Sequence, residues 1–149
     1  EFLKNLDLFS KITEKYNLKF IVNIRNSQKH CKNLLSQLYP KLKFTTSKIE
    51  KVLEKSFVTI SFSSTAIEDS LCSKVPVILF DQWRRYQHCE AELDSKTKNC
   101  GIYYLTNEKD LIECINSFKQ SSNDIDFNRL IFNHDFRNNI RENVFKLVN

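Results

Sequence analysis

Five short apolar runs, "LKFIVNI" (18–24), "KFTT" (43–46), "FVTISF" (57–62), "PVILFD" (76–81) and "GIYYL" (101–105), punctuate the chain. Between them apolar residues recur every three or four positions. A run this short, rich in β-branched and aromatic residues and bounded by polar turns, reads as a buried strand, whereas the three- and four-residue spacing reads as an amphipathic helix. Strands alternating with helices leave few architectures open. Each strand–helix–strand unit crosses over to a parallel neighbour with a right-handed hand, and the helices cover both faces of the sheet. The expected fold class is therefore α/β, with three α/β/α layers around a mostly parallel sheet of about five strands.

The helices are placed by their own signals. Phe2, Leu6, Phe9, Ile12 and Tyr16 put a helix over residues 2–16. A second, about 28–38, carries Leu34, Leu35 and Leu38 and has to end before Pro40. Ser47 and Glu50 have the spacing of a capping box, which starts a third helix running to about Lys55. Thr65 to Ser73 forms a fourth, residues 86–95 a fifth, and Asn107 opens another with Leu111, Ile112, Ile115 and Phe118 on one face. A last helix carries Phe136, Ile140, Val144 and Leu147 on its buried side.

Composition narrows the class further. At 149 residues the chain reads as one domain, 1–149, that buries roughly two-thirds of its unfolded surface. No apolar run approaches the about 18 residues of a membrane span, and the first residues show no basic-then-apolar leader pattern. The absence of methionine suggests a piece excised from a longer protein. The five cysteines are scattered with no CxxC pair and read as reduced thiols of a cytoplasmic protein. His30-Cys31 and His88-Cys89 are dyads of adjacent residues whose side chains diverge, so no metal site is expected. The net charge of +5 is spread among acidic residues rather than gathered into a basic, aromatic-rich run, which argues against a nucleic-acid partner.

The chemistry concentrates in "FVTISFSSTAIEDSLCSKVPVILFD" (57–81), where a strand hands over to a helix through Ser61, Ser63, Ser64 and Thr65. In a doubly wound, Rossmann-like sheet, ligands bind beyond the carboxyl ends of the strands, where strand order reverses. The first turn of the following helix offers free N–H groups and the positive end of its dipole, a seat for phosphate to which Ser63, Ser64 and Thr65 could add hydroxyl donors. Thr65 and Glu68 also form a capping box that needs no ligand. Asp69 is left over by capping and suits a ribose hydroxyl.

The segment "ISFSSTAIEDSLCSKVPVILFD" resembles the nucleotide-sugar-binding segment in the C-terminal half of GT-B glycosyltransferases, especially bacterial surface-polysaccharide and capsule enzymes. Their usual form is an apolar strand, Ser-Ser-Thr or Ser-Gly-Gly, a helix bearing an acid, a turn with Lys-Pro, and an apolar strand ending near Asp. UDP-N-acetylglucosamine 2-epimerases share the pattern. "FIVNIRNSQKH", "FDQWRRYQH" and "YYLTNEKDLIECI" extend the likeness over roughly residues 18–118. The resemblance implies that Ser63, Ser64 and Thr65 bind a diphosphate, that Asp69, with Glu68 as the alternative, binds the ribose, and that Arg25 neutralises phosphate charge. Arg84, Arg85 and Tyr86, beside Trp83, would be donor-loop contacts. It also implies a nucleotide-diphosphate sugar as substrate, no cofactor and no metal, and a location in the cytoplasm, the inner face of the membrane included.

An N-terminal Rossmann-like half would be the missing partner, supplying acceptor site and catalytic base. No catalytic residue is assigned here, and the fragment alone is expected to be inactive. The turn reads Ser73-Lys74-Val75-Pro76 where the family has Gly-Lys-Pro, so the preceding helix has to end without a glycine. The readings set beside the glycosyltransferase are an epimerase-like half-domain and a non-catalytic α/β interaction module.

Overall fold

A computed structural model describes residues 2–61, 66–85, 89–120 and 124–130. The fold is mixed α/β with parallel sheets, and the chain divides into two compact units, Glu1–Lys55 and Ser56–Asn149.

The first unit holds α1 (Phe2–Tyr16), β1 (Ile21–Asn23), α2 (Cys31–Leu38), β2 (Lys43–Thr45) and α3 (Ile49–Leu53). β1 and β2 pair in parallel, Val22 opposite Phe44. Helices α1 and α2 cover this ladder through a cluster of Leu6, Ile24, Leu42 and Phe44, joined by Phe9, Phe20, Val22, Leu35 and Tyr39. Phe9 stacks on Phe20 with centroids 5.0 Å apart, and the Tyr39 hydroxyl donates to Asp7 Oδ1 at 3.0 Å, tying the end of α2 to α1.

Two local expectations change in this unit. The apolar face of α2 is only partly used, since Leu35 joins the cluster while Leu34 and Leu38 stay 58% and 60% exposed. The Ser47 capping box does not form. Thr45 and Ser47 bond each other, the Thr45 hydroxyl donating to Ser47 Oγ at 2.9 Å and the Ser47 N–H to Thr45 Oγ1 at 3.1 Å. Lys48 then takes the cap position of α3 without a side-chain bond.

The second unit holds β3 (Thr59–Ser61), α4 (Ala66–Cys72), β4 (Val77–Phe80), β5 (Ile102–Leu105) and α5 (Glu108–Gln120). Its sheet is parallel in the order β3-β4-β5. β4, flanked on both sides, buries all four residues. Period-two alternation sends Val77 and Leu79 to one face, where they cluster with Ile102, Leu71 and Ile67 of α4, and Ile78 and Phe80 to the other. On that second face Phe118 of α5 meets Tyr103 edge-on at 5.5 Å. The sheet thus carries a helix on each face. Each fully buried aliphatic or aromatic side chain of β4 contributes about 1.5–3 kcal/mol.

The strands expected from the sequence all form, but they pair as one two-stranded and one three-stranded sheet rather than as a single sheet of about five. Residues 89–95 of the expected 86–95 helix are not helical. Cys89 and Ala91, two apart, both face the cluster on Val77 and Leu79, and Glu92 forms a parallel bridge with Tyr103: its N–H donates to Ile102 O at 2.9 Å and its carbonyl accepts from Tyr104 N–H at 2.8 Å. The segment extends the sheet instead. The last helix, carrying Phe136, Ile140, Val144 and Leu147, lies outside the described residues.

Two backbone details follow directly from side-chain size. α4 ends in a Schellman motif, with Val75 N–H on Ser70 O and Lys74 N–H on Leu71 O, both at 2.9 Å, and Lys74 takes the left-handed conformation (φ 58°) that glycine normally fills. The only glycine, Gly101, instead enters β5 under a close approach: a Cβ there would overlap Leu130 Cδ1 and lie 3.3 Å from Ile125 Cγ2. Phe127 and Leu130 then complete the cluster on Val77 and Leu79.

Candidate functional site

The carboxyl ends of β3, β4 and β5 lie side by side, because all three strands run parallel with Ser61 opposite Leu79 and Phe80 opposite Leu105. Ser61 ends β3 and is buried. Ser63, Ser64 and Thr65 lie outside the described residues, and so does the Thr65–Glu68 capping box. α4 begins at Ala66, and its first turn exposes both Glu68 and Asp69. Part of the hydroxyl content of this stretch has a packing role. Ser70 of α4 is fully buried with its Oγ 2.6 Å from Ala66 O and 3.0 Å from Thr59 Oγ1 of β3, so a pair of hydroxyls seats the helix on the strand.

The best-defined feature of this sheet end is one that sequence reading passed over. Asp81, the residue after β4, is only 2% exposed. A buried carboxylate is tolerated when hydrogen bonds replace its water. Here the Trp83 N–H donates to Oδ1 at 3.1 Å, the Arg85 N–H to Oδ2 at 2.6 Å, and the Tyr104 hydroxyl to Oδ2 at 3.1 Å. The main chain is held as well, Asp81 N–H on Leu105 O at 2.9 Å and Arg84 N–H on Asp81 O at 3.2 Å. Burial, then the bond to Asp81 and its charge, push the Tyr104 hydroxyl above its ordinary pKa, while the charge of Arg84 opposes the rise.

This small network sets the loop 82–85. Arg84 sits in the left-handed region (φ 53°), a conformation unfavourable for a residue with a Cβ, and both Arg84 and Arg85 are exposed. The Arg85 guanidinium lies 5.9 Å from the centroid of the Trp83 ring. Two of the expected donor-loop contacts, Arg84 and Arg85, are therefore brought together with Trp83 by Asp81, while the third, Tyr86, lies outside the described residues. The signal that could have singled out Asp81 is an acid closing an otherwise unbroken apolar strand, "PVILFD", and Tyr104 is the phenol on the neighbouring strand that reaches it.

Arg25 belongs to the first unit, where it is exposed two residues after the end of β1, at the start of a 3-10 turn, Asn26–Gln28. Among the described residues neither sheet reverses its strand order internally. Among the described residues no group of three or more His, Cys, Asp or Glu is arranged to hold a metal ion, and no helix is long and apolar enough to cross a membrane.

Comparisons with protein-family models, with curated proteins and with solved structures find no match to the chain.

Proposed function

We propose that the chain is the donor-nucleotide-binding half of a GT-B glycosyltransferase that builds a surface polysaccharide, with a Rossmann-like sheet and an N-terminal half as its partner. The observation that carries this reading is the adjacency of two devices at one sheet end: the start of α4 after β3, with Glu68 and Asp69 exposed, and the arginine loop anchored on Asp81 after β4. Parallel α/β sheets take their ligands at this end. In the proposed complex Ser63, Ser64, Thr65 and the first N–H groups of α4 receive the diphosphate, Asp69 takes the ribose, and the loop arginines offset phosphate charge. Transfer would proceed by electrostatic stabilisation of the departing nucleoside diphosphate. The acceptor and the catalytic base would come from the partner half, in the cytoplasm.

Thermal-shift measurements with UDP, GDP, CDP, CMP and their sugars test the reading. One nucleotide should stabilise the protein, and Thr65→Ala and Asp69→Ala should each abolish that shift. A flat panel would leave the second reading, a non-catalytic interaction module, which the exposed Leu34 and Leu38 on α2 favour.

A further inference from the structure

We propose that Asp81 is the positioning residue of an anion-binding loop in which Arg84 faces the diphosphate of a nucleotide; the inference rests on the donor-site reading and names the part of that site that sets its geometry. The loop's hydrogen bonds decide which groups can meet a ligand. The N–H groups of Trp83 and Arg85 are directed at the two oxygens of Asp81, and that of Arg84 at its carbonyl. The loop is thus closed around its own carboxylate, so an anion would be met by side chains and not by a cradle of these N–H groups.

The two arginines are not equivalent. Arg85 lies against the Trp83 ring, whereas Arg84 is exposed and has no carboxylate partner among the described residues. The loop that carries it follows β4, on the side where β4 and β5 end. Holding residue 84 in a left-handed conformation fixes the direction in which this long side chain leaves the backbone, and order that exists before binding is not lost on binding. Asp81 supplies that order from below. Its negative charge, which would repel a phosphate if exposed, is buried and surrounded by donors, including the Tyr104 hydroxyl.

Trp83 is the only tryptophan and stands inside the loop, so its fluorescence reads the site directly. The experiment titrates the protein with inorganic pyrophosphate and with UDP, comparing Asp81→Asn, Arg84→Gln, the double variant and Tyr104→Phe, with circular dichroism to confirm the fold. Pyrophosphate should change Trp83 emission saturably. Asp81→Asn keeps the shape but turns an amide N–H₂ toward a backbone donor, and it should weaken pyrophosphate about tenfold or more, as should Arg84→Gln. The double variant should be no weaker than the weaker single, because both changes remove the same contact. A loss of loop structure unrelated to Arg84 would instead make the two effects add.

Tyr104→Phe removes one donor to Asp81 and should weaken binding about threefold; it carries the test if Asp81→Asn does not fold. Wild-type affinity in Asp81→Asn, or in Tyr104→Phe where that variant carries the test, overturns the proposal. So do additive losses in the double variant, or a wild-type protein silent to both probes. Pyrophosphate binding governed by Asp81, with UDP no tighter than pyrophosphate, upholds the positioning role and sinks the donor reading. Tight UDP binding indifferent to Asp81→Asn does the reverse.

Discussion

The two units are built from the same parts, parallel strands and covering helices, yet they use their strands differently. In the second unit β4 has a neighbour on each edge and a helix on each face, and all four of its residues are buried. In the first, β1 has one partner among the described residues, and its three residues are half-buried or exposed. The same apolar residue types therefore do unequal amounts of stabilising, and an apolar run in a sequence says that a strand exists without saying how deeply it sits.

That inequality can be broken by truncation. Ile78→Ala, at a position with no exposure, should cost about 2–5 kcal/mol, whereas Val22→Ala in β1 should cost about 1 kcal/mol. Urea unfolding followed by circular dichroism measures both, and equal costs would show that the ladder of the first unit is buried as effectively as β4.

Alkali probes the interior of the second unit next. Burial pushes the Cys114 thiol from 9.0 up to about 12 and the Tyr103 hydroxyl from 10.0 up to about 12. The unfolded chain loses these protons first, so the folded state binds more protons and stability falls as pH rises from about 9 toward 12, with no contribution from either group below that range. The expected loss is on the order of a few kcal/mol. Unfolding midpoints across this range, repeated with Cys114→Ala and Tyr103→Phe, should show the slope in the parent and a flatter profile in the variants.

Smaller effects separate the two backbone details. Gly101→Ala should destabilise by about 1–3 kcal/mol by displacing Leu130 and Ile125, and combining it with Leu130→Ala should cost less than the sum of the two changes. Lys74→Gly should stabilise by about 0.5–1 kcal/mol, since glycine adopts the left-handed C-cap of α4 without penalty. A neutral or destabilising Lys74→Gly would mean that the lysine side chain contributes something its backbone conformation does not reveal.

Much of the local structure was legible in the sequence because it depends on near neighbours. The period of Leu6, Phe9 and Ile12 announces α1, and Asn107 caps α5 as read, its Oδ1 accepting the Asp110 N–H at 2.9 Å. What escaped depends on partners remote in the chain. Glu92 lies along β5 through bonds to Ile102 and Tyr104, and no local period reports that. In the sequence Asp81 is only the end of a strand, because its meaning resides in Tyr104, 23 residues away, and in how the next four residues fold back. Leu34 and Leu38 show the converse, since periodicity identifies an apolar face but not whether anything covers it.

Cys114 offers a clock. Thiolates, not thiols, react with maleimides and disulfide reagents, and this sulfur is both fully enclosed and held in its protonated form, whereas Cys72 at the end of α4 is exposed. Modification of Cys114 must therefore wait for α5 to lift from the sheet, while Cys72 reacts at the pace of the reagent. The ratio of the two labelling rates measures how often that layer opens under native conditions, and a ligand that closes the sheet's carboxyl end should slow one rate without touching the other.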